Sequence, residues 1–229
     1  MEKVAFIGSF DKTDLIMYVA KMLTLAKKKV LVADTTIVQK ARYVVPNINP
    51  EMFYVTEFEG IDVAVGFFSL EDIQDYLAKN DEHEMEYDYI LVDIDTNRAI
   101  ENFGINSTTK NYFVTSFDVY SLKRGLEALA NLREPLPLTK VLFSKEILKS
   151  ENDYLDYLAL GYKVIWNDYK LYFPLEHGDQ SAIITNQRVS KIKFGNLTSQ
   201  YRDSLTFIAE DIQKQISSSK FKKMMKNEE

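Results

Sequence analysis

The sequence contains no cysteine, and among its 229 residues there are only eight glycines, five prolines and two histidines. The absence of cysteine excludes disulfide bonds, zinc-thiolate sites and cysteine nucleophiles. His83 and His177 stand far apart in polar stretches without the spacing of a metal site, so we expect both on the solvated surface. With so few glycines, a loop that wraps around phosphate groups lacks most of the residues on which such loops normally depend.

Several functional patterns are missing as well. There is no Gly-x-Ser-x-Gly elbow, no His-Glu-x-x-His helix and no Gly-x-Gly-x-x-Gly after the first apolar run. The net charge of −6 disfavours a protein that binds nucleic acid over its whole surface, although it leaves room for a local basic patch. Because neither a secretion signal nor an apolar run of membrane-spanning length is present, the sequence predicts a cytoplasmic protein.

Short apolar runs alternate with segments of helical period along the chain. The strand-like runs lie at 3–8, 29–35, 61–67, 87–94, 111–117, 139–144 and 162–167, and the helical patterns at 12–27, 69–79, 118–132, 151–160 and 198–217. This alternation predicts an α/β fold of three layers, in which a mostly parallel, twisted sheet carries helices on both faces. We expect residues 1–217 to form one domain and residues 218–229 to form a flexible, lysine-rich tail.

The stretch VAFIGSFDKTDLIMYVAKML near the amino terminus carries the clearest chemical signal. Lys12 and Thr13 follow a hydrophobic run and open a helical pattern, which is where a phosphate-binding loop places its lysine and hydroxyl. In a parallel sheet such a loop lies at the carboxyl edge, where ligands usually bind and where the unpaired amides of a helix attract anions. A lysine there neutralises phosphate charge, and a hydroxyl ligates magnesium.

These residues resemble the deviant P-loop ATPases of the MinD/ParA type, including the pilus-localisation relatives TadZ and CpaE. The resemblance implies a P-loop NTPase-like fold, with ATP and Mg²⁺ as candidate cofactors. Against the family loop G-K-G-G-x-G-K-T-T, this chain reads FIGSFDKTD over residues 6–14. The signature lysine of the family is Ile7 here, and the glycine before the principal lysine is Asp11. The resemblance places around the phosphates Gly8, Ser9, Asp11, Lys12, Thr13 and Asp14, with Lys12 also in a catalytic role.

Asp11 decides between two interpretations of this loop. Its carboxylate is expected to accept the amide of Thr13 or Asp14 and so to cap the helix, using amides that a phosphate would need. It would also repel a phosphate by about 4 kcal/mol for unit charges about 4 Å apart at an effective dielectric near 20. Lys12 would then pair with Asp34 or Asp93 and serve structure alone. The loop therefore either no longer binds nucleotide tightly or binds ATP weakly.

Three further positions match the family in part. The resemblance assigns Asp34 a catalytic role, but the second carboxylate of that motif, which orients the attacking water, is Thr36 here. Asp93 ends a buried strand and matches the carboxylate that holds the magnesium shell, together with the Thr13 hydroxyl. An aspartate at the end of a strand is also a common turn residue. Ser144 occupies the place of the asparagine that contacts adenine, which weakens the reading of the base.

Two segments carry alternatives for partners. Lys220 to Lys226, with interspersed Phe and Met, form either a basic amphipathic helix lying on an anionic membrane or a frayed, solvated terminus. Tyr43, Phe53, Tyr54 and Phe58 form either ordinary core and sheet-edge packing or a surface that binds a partner.

The favoured hypothesis is a degenerate MinD/ParA-like protein that acts by binding a protein partner, in positioning or assembling a pilus, secretion, conjugation or division apparatus. The alternatives are an active ATP-dependent dimerisation switch, and an adaptor that contacts nucleic acid or the inner face of the membrane through the basic tail. The balance of charge makes nucleic acid the least expected partner, and a homodimer stays open.

Overall fold

A computed structural model of the protein describes residues 1–47, 51–79, 86–106, 109–144 and 149–228. His83, which we expect on the surface, lies outside these residues. None of the helices in the described part of the chain combines the length and the hydropathy that a bilayer crossing requires.

One eight-stranded sheet forms the centre of the molecule, in the order β3-β4-β2-β5-β1-β6-β7-β8. All neighbouring strands pair in parallel except β3 and β4, which are antiparallel. The strands are β1 (Glu2–Ile7), β2 (Val30–Asp34), β3 (Tyr54–Phe58), β4 (Ile61–Val65), β5 (Tyr89–Ile94), β6 (Lys110–Ser116), β7 (Leu136–Ser144) and β8 (Val164–Pro174). The predicted α/β fold with a mostly parallel sheet is confirmed.

The two faces of the sheet carry separate hydrophobic cores. In β1, Val4 and Phe6 belong to one core while Ala5 and Ile7 belong to the other, as the alternation of side chains along a strand requires. The first core packs against α1 (Thr13–Leu25), α7 (His177–Arg188), α8 (Ser199–Ile212) and α9 (Ser218–Lys226). The second packs against α3 (Leu70–Lys79), α4 (Asn97–Asn102), α5 (Val119–Glu127) and α6 (Lys149–Ala159). The remaining helix, α2, is short and spans Ala41–Val44. The three predicted layers are therefore present.

The antiparallel strand β3 is absent from the sequence prediction. It pairs with β4 through a two-residue turn, in which Glu59 and Gly60 have φ values of 57° and 81°. Two successive residues with positive φ are the mark of a type I′ turn, and glycine at the second position favours it. A turn signal was thus available in the sequence. The sequence prediction assigns the aromatic residues of this segment to core and sheet-edge packing or to a partner surface, and assigns no strand to residues 54–58.

The lysine-rich tail also differs from its prediction, because residues 218–226 form the helix α9. Phe221 and Met225 lie one turn apart and are buried in the first core, where α9 packs against α1 and α8. Met224 packs against the same core, and the exposed Lys222 pairs with Asp203 of α8 at 2.8 Å. The apolar side chains that a membrane-bound helix would insert into lipid are therefore occupied within the protein.

Replacing Phe221 with alanine tests the docking of α9. The side chain is fully buried, and we expect its truncation to lower the free energy of unfolding by about 3–5 kcal/mol, because it leaves a cavity in a close-packed core. Urea denaturation followed by circular dichroism measures this loss. The exposed Lys223 of the same helix provides the control, since Lys223→Ala should change stability by no more than about 0.5 kcal/mol. Equal stability of the two variants would show that α9 is not docked.

Candidate functional site at the first strand and helix loop

The loop between β1 and α1 covers residues 8–12 and lies at the carboxyl edge of the sheet, with β5 and β6 on either side of β1. Gly8 opens it with a φ of 147°, and a Cβ atom there would stand 2.1 Å from the backbone oxygen of Val114. No other residue type fits, because a side chain would collide with the backbone of β6. The hydroxyl of Ser9 donates to the carbonyl oxygen of Ser121 at 3.2 Å and ties the loop to α5.

Lys12 is turned inward and is only 3% exposed. Its Nζ lies 2.7 Å from Oδ1 of Asp93 at the end of β5, a charge contact rather than an aligned hydrogen bond. The aligned hydrogen bond from Nζ goes to the carbonyl oxygen of Gly8 at 2.6 Å. The Thr13 hydroxyl donates to the other carboxylate oxygen, Oδ2, at 3.1 Å. Of the two partners expected for Lys12, the structure selects Asp93.

Burial dominates the electrostatics of Asp93. It raises the pKa of this carboxyl group to about 6, against the lowering effect of Lys12, and the nearby Asp34 carboxylate raises the pKa further. Removing the Asp93 carboxylate from water costs more free energy than its attraction to the Lys12 ammonium group provides. The carboxyl group of Asp93 is therefore poised to change its charge just below neutral pH.

Asp34, at the end of β2, is 1% exposed and serves the backbone around it. One carboxylate oxygen accepts the amide of Thr36 at 3.1 Å and its hydroxyl at 2.6 Å, and the other accepts the amide of Ala41 at 2.9 Å. The hydroxyl of Thr36, at the place of the second family carboxylate, is thus bonded to Asp34. Both groups stabilise the turn that leads into α2.

Asp11 and Asp14 are joined by Lys40, which belongs to no motif of the sequence. The Nζ atom of Lys40 donates to Asp11 and to Asp14, each at 2.5 Å. Burial lowers the pKa of Lys40, but the carboxylates of Asp14 and Asp11 outweigh burial and raise it. The amide of Thr13 does donate to Asp11, as expected, although the distance of 3.4 Å makes this a weak cap. No local pattern marks Lys40, because its partners lie 26 and 29 positions away.

Two adjoining cavities surround this loop. One has a volume of about 220 Å³ and is lined by the loop together with Thr36, Lys40, Asp93 and Asp95. The other, of about 280 Å³, is lined largely by apolar residues, among them Phe143 and Pro174. Each is smaller than the roughly 300–1,000 Å³ typical of small-molecule sites. The residues that line both cavities, and so stand between them, are Phe10, Asp11 and Lys40.

The remaining candidates lie along the same edge of the sheet. Ser144 ends β7, two strands away from β1, and its carbonyl oxygen accepts the amide of Leu175 at 3.3 Å. Asp95, which the sequence analysis does not identify, accepts the amide of Ile37 and has a pKa raised by burial. Of the aromatic segment, Tyr54 is buried at 3% exposure and supports the core interpretation, whereas Tyr43 is 79% exposed.

The strand-loop-helix unit with Lys12 and Thr13, set against a strand-end aspartate in a mostly parallel sheet, defines the P-loop NTPase-like class of folds. Within that class, the chain has the fold of the MinD/ParA-type P-loop ATPases, as solved structures show. The predicted fold resemblance is thereby confirmed. The finer similarity to TadZ and CpaE stays a prediction.

Three of these structures cover nearly the whole chain. A plasmid partition protein from Borrelia burgdorferi B31 bound to AMPPNP has 12% identity and a TM-score of 0.52, and the match covers 93% of this chain and 98% of that one. The MinC:MinD cell division complex of Aquifex aeolicus has 12% identity, coverages of 99% and 95%, and a TM-score of 0.51. McdA from Cyanothece in complex with ATP has 11% identity, coverages of 93% and 96%, and a TM-score of 0.53. Neither a protein-family model nor a curated protein matches the sequence.

Replacing Lys12 with methionine tests the buried ion pair. The folded-state pKa of Asp93, about 6, lies above its ordinary value of 3.8, so its contribution to stability is full below pH 4 and is lost as pH rises past 6. Without Lys12 this pKa rises further, and an ionised Asp93 stays buried and unpaired. We expect Lys12→Met to lower the free energy of unfolding by about 3–5 kcal/mol at pH 8 and by much less at pH 5.

Urea denaturation at the two pH values measures this difference, and a double-mutant cycle supplies the control. Adding Asp93→Asn to Lys12→Met removes the titrating group, so the dependence on pH should disappear and part of the lost stability should return. An equal cost of Lys12→Met at pH 5 and pH 8 would contradict the interpretation.

Proposed function

We propose that this protein is a degenerate MinD/ParA-like protein that acts through partner binding, in the localisation or assembly of a cellular machine. Such a machine would be a pilus, secretion, conjugation or division apparatus. In this proposal, nucleotide binding and hydrolysis are weak or lost. The observation that carries it is the enclosure of Lys12 between Asp93 and the carbonyl oxygen of Gly8.

The fit of ATP and Mg²⁺ to the residues present is poor. Thr13 and Asp93 stand side by side and suit a magnesium shell, but the Lys12 ammonium already occupies the Asp93 carboxylate. Phosphates would also face Asp11 in place of a glycine. This carboxylate is half exposed and paired with Lys40, so solvent screens its repulsion of an anion without removing it. The Lys12–Asp93 pair and the carboxylate of Asp11 both act against tight binding.

A protein partner is supported by the surface around the loop. Exposed apolar side chains follow the carboxyl ends of β2, β4 and β6, at the same edge of the sheet as the loop. They are Ile37, Val38, Tyr43, Phe68, Val119 and Tyr120, each more than half exposed. Exposed apolar side chains that share one edge of the sheet favour a protein interface there. The MinC:MinD complex supplies a precedent for a MinD protein that binds a different protein, and a second copy of the chain is another candidate.

The proposal includes a cytoplasmic location and does not include membrane contact through Lys220 to Lys226, because Phe221 and Met225 are buried in the core. Nucleic acid is not proposed as a partner, given the net charge of −6.

An ATP-dependent dimerisation switch is the second candidate function. The observation in its favour is that Lys12, Thr13 and Asp93 converge at one point, and that structures with this fold hold AMPPNP or ATP. For this function, Lys12 would have to leave Asp93 and turn toward the phosphates. The free energy of that rearrangement would come from nucleotide binding.

Calorimetry with ATP and Mg²⁺ separates the two functions. We expect no saturable binding below about 1 mM, which corresponds to a binding free energy weaker than about 4 kcal/mol. Turnover of ATP should equal the background and should not change in Lys12→Ala. Magnesium-dependent binding in the micromolar range, with turnover abolished by Lys12→Ala, would establish the switch instead.

The variant Asp11→Gly tests the physical reason for the weak binding. It restores the family glycine and removes the carboxylate that faces the phosphates, so affinity for ATP should increase by about tenfold, which is 1.4 kcal/mol and well below the unscreened repulsion. Asp168→Asn removes an exposed carboxylate outside the two cavities and is the matched control. Equal affinity in both variants would show that Asp11 does not limit binding.

A further inference from the structure

A third cavity, of about 270 Å³, lies beside β4 and α3 and shares no lining residue with the cavity at the Lys12 loop. Its walls combine aromatic rings with charged side chains of α3. The residues that line it are Phe53, Gly66, Phe67, Phe68, Asp72, Asp75, Tyr76 and Lys79. We call this cavity the aromatic pocket.

Three rings form one wall of the aromatic pocket. Phe53 and Phe67 lie 5.8 Å apart between centroids, and Tyr76 stands 6.3 Å from Phe53 and 5.3 Å from Phe67, nearly perpendicular to the first. Phe67 is buried at 7% exposure, whereas Phe53 is 48% exposed and Phe68 is 70% exposed. The rings of Phe53 and Phe68 are therefore accessible to solvent, while the ring of Phe67 is fixed in the core.

The backbone that leads into Phe53 is held in place. Gly66 has a φ of 91°, and a Cβ atom there would lie 2.4 Å from the carbonyl oxygen of Met52. Glycine at this position lets the two chain segments approach each other closely. The guanidinium of Arg42 donates to the carbonyl oxygens of Glu51 at 2.8 Å and Met52 at 2.6 Å. The backbone that leads into Phe53 is therefore ordered before any ligand arrives, which lowers the entropic cost of binding.

The helix α3 adds charge to the aromatic pocket. Asp72 and Asp75 are exposed and lie three residues apart, on the same side of the helix as Tyr76. Ile73 and Leu77 bury the opposite side in the core. Lys79 follows Asp75 by one turn and is the only cation among the described lining residues. Aromatic faces next to two carboxylates favour a cationic ligand, and Lys79 competes with it.

We infer that the aromatic pocket binds a lysine or arginine side chain from a basic segment of a partner protein. The ring faces attract the cation through their quadrupoles, the apolar rings cover the methylene stem, and Asp72 and Asp75 pair with the charged end. At the rim, the guanidinium of Arg98 already lies 5.9 Å from the ring centroid of Phe68, so the inference assigns the ligand to the rings of Phe53, Phe67 and Tyr76. The inference rests on the proposed partner-binding function, but not on the state of the Lys12 loop.

Nuclear magnetic resonance with small probes tests this inference on the full chain. The probes are Nα-acetyl-lysine methylamide and its norleucine counterpart, which has a similar apolar stem and no charge. We expect the lysine probe to shift the ring signals of Phe53, Phe67 and Tyr76 in a saturable manner, with a dissociation constant in the millimolar range. The norleucine probe should bind at least about fivefold more weakly, because it lacks the cation–ring and carboxylate attractions.

Variants of the lining residues sharpen the test. Asp72→Asn with Asp75→Asn should weaken binding of the lysine probe about fivefold, and Lys79→Met should strengthen it about twofold. Phe53→Leu keeps apolar bulk but removes a ring, so it should weaken the lysine probe and leave the norleucine probe unchanged.

The matched control for charge is Asp153→Asn with Asp168→Asn, which changes the net charge by the same amount at exposed positions outside the aromatic pocket. Binding of the lysine probe should be within twofold of the unchanged protein in this control. Equal binding of the two probes, equal weakening by the control pair, or no shift of the rings would overturn the inference. Calorimetry with ATP gives an independent result, so failure at the Lys12 loop and failure at the aromatic pocket are distinguishable.

Discussion

The ion pair between Lys12 and Asp93 is the interaction on which the functional edge of this protein depends. It joins the start of α1 to the end of β5 across the centre of the sheet, in an environment almost free of water. A buried pair of this kind adds little net stability, because desolvation offsets the attraction between the charges. What it does provide is position. Lys12 and Thr13 both contact the Asp93 carboxylate. These contacts hold the loop and the start of α1 in a fixed position relative to the end of β5.

Around this pair, the groups that would serve nucleotide chemistry in a MinD/ParA-type ATPase have structural partners. Asp34 accepts three hydrogen bonds from Thr36 and Ala41, and Asp11 is paired with Lys40. A ligand would have to displace several of these contacts together, since each polar group lost from its partner would stay buried or half buried. Under the proposed function, this pre-formed set of internal bonds acts against a triphosphate, while the surface around the loop and the aromatic pocket would receive a partner.

Features that depend on local sequence pattern could be predicted, whereas contacts between elements distant in the sequence could not. The runs of β1 and β5, the start of α1 and the strand-end Asp93 could be read from periodicity. The partner of Lys12 stayed open between Asp34 and Asp93, because periodicity does not give the order of strands, and β5 lies next to β1 while β2 lies one strand further. Lys40 could not be identified because its partners, Asp11 and Asp14, lie 29 and 26 positions away in the sequence. The helix α9 had a readable spacing at Phe221 and Met225, but its docking against α8 is a contact that no local pattern announces.

Gly8 shows why a surviving residue of a motif need not report on the ligand of that motif. The backbone oxygen of Val114 excludes every side chain at this position, so the requirement for glycine arises inside the protein and would persist with no phosphate in the cell. A glycine that only a ligand requires lacks this internal constraint and can be replaced if the ligand is lost, which is how the proposed function accounts for Asp11. Among degenerate members of an enzyme fold, the residues that outlast the chemistry are then those with a second, steric duty, and counting them overstates the activity that is left.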